Sequence, residues 1–129
     1  MILKEELLSR REIEAKIDSV GDYVKMDYLQ ACLKKKLDFD TKKFVLIKLS
    51  GIYESRKIFL EAGRLIRIAA DINSTLDGKM NNFLKSVELF IKAGDFNEAD
   101  ISLTRAFAVA NDNQKVGIKI KVKNTYQNY

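Results

Sequence analysis

The chain has no histidine, no proline, one cysteine and six glycines among its 129 residues. Without histidine it lacks the usual general base, the commonest metal ligand and every His-dependent triad. Cys32 alone cannot form an intramolecular disulfide, and with histidine absent it excludes the familiar structural zinc sites. The shortage of proline and glycine leaves few points where a helix is forbidden. No Gly-rich phosphate loop occurs. Gly94 stands alone, and Gly51 and Gly63 lie in apolar helical stretches where close packing accounts for them. Long apolar runs are missing too, so no segment is expected to span a bilayer. The opening MILKEELLSRREIE sets charges between its apolar residues, unlike the continuous core of a signal peptide. A reducing, cytoplasmic location is therefore expected, with the sequon Asn73-Ser74-Thr75 incidental.

Hydrophobic residues make up 47% and charged residues 32%, a balance suited to a single globular domain. The net charge of +5 is uneven. Residues 1–40 carry eight Lys/Arg against nine Asp/Glu, whereas residues 41–129 carry fifteen against nine. From Asn113 onward there is no acidic residue, only Lys115, Lys119, Lys121 and Lys123. A basic end suits an acidic partner, nucleic acid included, and is also what a solvated terminal helix carries.

Apolar residues recur at helical spacing almost throughout, which predicts an all-α fold of six to seven helices. The first covers residues 3–18, with Leu3, Leu7, Leu8, Ile13 and Ile17 on one stripe. Gly21 breaks it, and Asp22 caps a second helix carrying Val24, Tyr28, Leu29, Cys32 and Leu33. The run Lys34-Lys35-Lys36 reads as its solvated end. Further helices are expected over residues 41–54 and 56–71. Ser74 with Asp77 and Asp95 with Glu98 have capping-box spacing and open a fifth and a sixth. The fifth ends at Ala93-Gly94, where glycine supplies a left-handed residue. Residues 116–123, VGIKIKVK, alternate as a strand would, but the capping-box spacing of Asn111 and Gln114 and the lack of a partner strand favour helix.

One internal repeat is present. Leu46, Leu49, Tyr53, Ala62, Ile66 and Ala69 return 37 positions later as Phe83, Ser86, Phe90, Ala99, Leu103 and Ala106. Only Leu49 against Ser86 changes character. Each unit reads as a helical hairpin: a large residue and an aromatic two turns apart, then alanine, a large aliphatic and alanine. Small residues let two backbones approach, and neither hairpin buries its apolar face alone.

These residues resemble the tetratricopeptide repeat. Ala93-Gly94-Asp95-Phe96, Ala99, Leu103 and Ala106 are similar to its turn and second helix, and Leu46, Leu49-Ser50, Tyr53, Ala62, Ile66 and Ala69 to an earlier unit. The resemblance covers about residues 44–111, with departures. The period is 37, not the family's 34. Ser74 and Asn111 replace the closing proline, and Ser55-Arg56-Lys57 replaces the first unit's Gly-Asp turn. The three extra residues are expected in the polar connection over residues 71–79.

The resemblance implies a short right-handed α-solenoid with repeat hairpins over 41–73 and 74–111; beside them a helical hairpin is expected over residues 1–40 and a basic capping helix or tail over 112–129. It also implies a concave face, lined by the first helix of each hairpin, that binds peptide segments. Residues there outside the packing set are Phe44, Ile47, Lys48, Gly51 and Glu54, then Asn81, Leu84, Lys85, Glu88 and Lys92. Some family members grip a C-terminal carboxylate with lysines and asparagines on this face, and Lys48, Asn81, Lys85 and Lys92 could supply such donors. Gly51 and Glu88 stand where those members carry asparagine, so a mixed apolar and acidic segment fits better.

Catalysis is not expected. Glu12 with Glu14 and Asp95 with Glu98 read as surface charges and caps, and Cys32 lies on an apolar face as an inert thiol. No cofactor is implied. The expected function is a non-catalytic module that binds a protein or peptide partner. The alternatives are a basic nucleic-acid or nucleoprotein accessory protein, and a helical self-association domain forming a homodimer.

Overall fold

The computed structural model describes residues 7–128, and among them every regular element is a helix. In order they are α1 (Arg10–Ile17), α2 (Asp22–Leu33), α3 (Phe39–Ser55), α4 (Phe59–Ile72), α5 (Leu76–Lys92), α6 (Phe96–Val109) and α7 (Asp112–Gln127). The all-α class and the helix count stand as expected.

Most helices begin where a side-chain oxygen satisfies a free backbone N–H. Asp38 accepts from Thr41 at 2.7 Å and Asp95 from Glu98 at 3.1 Å. Asn111 and Gln114 form a reciprocal capping box, at 2.8 and 2.9 Å, which opens α7 as a helix despite its alternating sequence.

Several expected bounds move for identifiable reasons. Ser9 accepts from the N–H of Glu12 at 3.2 Å, so α1 starts at Arg10, with Leu7 and Leu8 ahead of it; Leu3 lies outside the described residues. Gly21, not Asp22, is the N-cap of α2, and Asp22 instead pairs with Arg56 at 3.6 Å. Thr75 takes the capping role expected of Ser74, donated to by Gly78 at 3.0 Å, because Asn73 Oδ1 holds the Thr75 N–H at 3.1 Å.

The 37-residue repeat holds helix for helix. α3 and α5 each have 17 residues, α4 and α6 each have 14, and every bound of the second pair lies 37 beyond the first. The connection expected over residues 71–79 is only the three residues 73–75, because α5 already starts at Leu76. Both hairpin turns are the same. Ile58 donates to the Tyr53 carbonyl at 2.8 Å and Asp95 to that of Phe90 at 2.9 Å. Lys57 donates to Glu54, and Gly94 to Ile91, both at 2.9 Å. These bonds make a Schellman closure with a left-handed residue, Lys57 at φ 61° and Gly94 at φ 76°. A lysine thus holds the turn that carries no glycine in the first unit.

The repeat residues are core. Leu46, Leu49, Tyr53, Ala62, Ile66 and Ala69 are buried, as are Phe83, Ser86, Phe90, Ala99 and Ala106, with Leu103 half-buried. Ser86, the one mismatch, bonds its hydroxyl to the Phe83 carbonyl at 2.6 Å, which satisfies a buried polar group within its own helix. Gly63 earns its place by packing, since a Cβ there would stand 3.0 Å from the Phe90 ring. Gly51 does not: it is exposed, with open space where a Cβ would be.

Helices pack in chain order, most extensively α4 on α5 and α5 on α6, and α7 lies against α5. Side chains also link alternate helices. Lys85 of α5 reaches Glu54 of α3 at 2.9 Å, and Arg105 of α6 reaches Asp71 of α4 at 3.8 Å. Arg67 of α4 sits 2.6 Å from Glu98 Oε2 of α6, a close ion pair without the alignment of a hydrogen bond, and covers the Phe90 ring at 4.8 Å. One apolar cluster joins Ile13, Ile17, Leu29 and Cys32 to α3 and α4; a second joins Val87, Phe90, Ile91 and Ala99 to Ile118 and Val122 of α7.

Candidate peptide-binding face

The helix register of α3 brings Phe44, Ile47 and Lys48 together, because residues three and four apart share a face. They line a groove of about 310 Å³ with Asp40, Lys43 and Arg10. Phe44 is half-buried while Ile47 and Lys48 are exposed. The Arg10 guanidinium lies 4.4 Å over the Phe44 ring, a cation–π contact that fixes the ring as one wall. Arg10 is answered by Glu14 at 2.9 Å, so Lys43 and Lys48 against Asp40 leave a positive rim beside the apolar Phe44 and Ile47. Lys43 and Lys48 form no ion pair among the described residues.

The other expected donors are engaged elsewhere. Lys85 lies 2.9 Å from Glu54 and 3.6 Å from Glu88; Lys92 lies 3.2 Å from Glu88 and 4.0 Å from Glu54. The two lysines and two glutamates therefore neutralise one another between α3 and α5. Burial alone would lower the Lys85 pKa, but its hydrogen bond to Glu54 and the charges of Glu88 and Glu54 hold it above an ordinary lysine. Burial likewise opposes the Glu88 charge, yet Lys92 and Lys85 hold that carboxyl below the usual range. Leu84 packs into the core with Val87 and Phe107, and Asn81 is exposed on α5. Of the expected face, then, Phe44, Ile47 and Lys48 share a groove, whereas Asn81, Leu84, Lys85 and Lys92 do not join it.

Arg10 and Lys43 line the groove although the sequence pattern did not single them out. Arg10 stands outside residues 44–111, the stretch the repeat covers, and its contact with Phe44 is a tertiary one. No spacing signals it.

Cys32 is buried, and burial pushes its thiol up, outweighing the Tyr28 hydrogen bond and the Lys35 charge that pull it down. A raised thiol pKa means less thiolate and a weaker nucleophile. Among the described residues no group of three His, Cys, Asp or Glu side chains converges as metal ligands would. No helix among them is long and apolar enough to cross a membrane. No family model, curated protein or solved structure matches the chain, so the reading of its function rests on these residues and their geometry.

Proposed function

We propose that this protein is a non-catalytic protein-binding module: a short, right-handed stack of helical hairpins of tetratricopeptide type, acting in the cytoplasm. The observation that carries the reading is the 37-residue repeat of α3–α4 in α5–α6, with equal helix lengths and a left-handed closing residue at the same position. Side-chain links from α3 to α5 and from α4 to α6 are those expected when hairpins stack with their first helices on one side.

The groove of Phe44, Ile47 and Lys48 is the peptide site. Its Phe44 and Ile47 floor and the positive charge of Lys43 and Lys48 suit an extended segment with an apolar residue beside an acidic one. The Lys85–Glu54–Glu88–Lys92 network holds α3 and α5 in place and is not a carboxylate clamp.

Affinity capture with mass spectrometry tests this, comparing wild type with Ile47→Glu/Lys48→Glu and with Lys85→Gln/Lys92→Gln. Partners lost only in the first variant are the expected result. Equal recovery by the wild type and the Ile47→Glu/Lys48→Glu variant, both folded by circular dichroism, would discard the groove.

A further inference from the structure

We propose that the outer ridge of α7, built on Val116 and Ile120, is a second docking surface, which receives an acidic amphipathic helix from a partner protein. An ordinary surface helix carries one apolar stripe. α7 carries two. Ile118 and Val122 are 3% and 8% exposed and seat the helix on α5 and α6. Val116 and Ile120, one turn apart, are 60% and 59% exposed. At about 100° per residue the two pairs point to opposite sides of the helix. The inner pair accounts for the packing of α7, and the outer pair joins no apolar cluster among the described residues.

The shape of the occupant follows from the ridge itself, whose two aliphatics one turn apart match the i, i+4 stripe of an amphipathic helix. Gly117, beside the ridge, has open space where a Cβ would be, so a helix backbone can come close there.

Its charge follows from the lysines. Lys119 and Lys123 flank the ridge, and with Lys121 they form no ion pair among the described residues. Residues 113–128 contain no acid to answer them. A helix whose apolar stripe covers Val116 and Ile120 would set its own flanking carboxylates against Lys119 and Lys123. A second copy of this chain is a poor occupant, because isologous pairing would set these lysines against one another. Nucleic acid is a poor one as well: the ridge is aliphatic, and the nearby Tyr126 ring is engaged with Phe96 at 5.6 Å.

The test is a display library of helical peptides with fixed leucines at i, i+3, i+4 and i+7 and all other positions randomised, selected on the full chain. Enriched sequences should carry Glu or Asp beside the leucine stripe. By fluorescence anisotropy they should bind about tenfold more weakly to Val116→Gln/Ile120→Gln, the expected effect of losing two aliphatic contacts. Lys119→Glu/Lys123→Glu should weaken them comparably, and Ile47→Glu/Lys48→Glu should leave them unchanged, which separates this surface from the groove on α3. Both ridge residues are exposed, so glutamine there preserves the fold, as circular dichroism would verify. Four results would overturn the proposal: no enrichment; enrichment without acidic bias; peptide binding indifferent to the glutamine pair; or a single-stranded RNA oligonucleotide bound as tightly as the selected peptides. Dimerisation of the free protein in sedimentation runs, abolished by the glutamine pair, would likewise overturn it in favour of self-association.

Discussion

Lys57 and Gly94 hold the same backbone position, at φ 61° and 76°, and make the same closing hydrogen bonds. The hairpin dictates that conformation, and the two residues meet it at different cost. A Cβ in the left-handed region crowds the following carbonyl by about 1–2 kcal/mol, which glycine escapes at the expense of a freer unfolded chain. Lys57→Gly should therefore raise stability by about 0.5–1 kcal/mol, and Gly94→Ala should lower it by about 1 kcal/mol. Denaturant midpoints at unchanged slope would report both. A Lys57→Gly protein less stable than wild type would show that the lysine side chain contributes more than its backbone strain costs.

Between elements, the informative group is the Glu54–Lys85–Glu88–Lys92 network that joins α3 to α5. For Glu88, whose folded pKa is lowered, the stabilisation is present above the unfolded glutamate value and drains away as pH falls through the folded one. For Lys85, whose folded pKa is raised, it is complete below the unfolded lysine value and is lost as pH rises through the folded one. The contribution is greatest at neutral pH. These side chains are roughly a third exposed, so solvent screening holds the worth of each pair to about 1 kcal/mol or less. Glu88→Gln should lower the melting temperature at neutral pH, and its gap from wild type should close as pH falls below about 4, the ordinary glutamate range. Melting curves across that window decide it, and a gap that persists into acid would mean that Glu88 acts by packing. The sequence pattern already set Glu54, Lys85, Glu88 and Lys92 on one expected face, but not that they pair with one another, because the distance between α3 and α5 is a tertiary quantity. Helix starts were legible where the cap was a lone Asp or Asn, as at Asp95 and Asn111. They slipped by a residue where two candidates adjoined, as at Ser74-Thr75. The turn over Ser55-Arg56-Lys57 was placed, but Lys57 as its left-handed residue was not, because the sequence pattern looks for glycine there.

On the scale of the whole chain, the packing alternation could be read from alanines and aromatics because a repeat states it twice; α1 and α2, with 8 and 12 residues, state it once and differently. Contacts are graded along the fold. α4 and α5 have packed neighbours on both sides, while α1 buries only Ile13 and Ile17, and α7 only Ile118 and Val122. In a fold stabilised by neighbour contacts, opening begins at such edges at a lower free energy than global unfolding. Native-state hydrogen exchange, read by mass spectrometry, should therefore find the slowest amides in α4 and α5 and faster exchange in α1 and α7. Uniform protection across all seven helices would instead mean one cooperative unit with no graded edge. The gradation bears on binding, because a helix docked on Val116 and Ile120 adds contacts to an element that has few. Saturating a ridge-selected peptide should slow exchange in α7 more than in any other helix, whereas a ligand of the Phe44 groove should protect α1 and α3. Protection of α3 by a ridge-selected peptide would place that peptide on the wrong face.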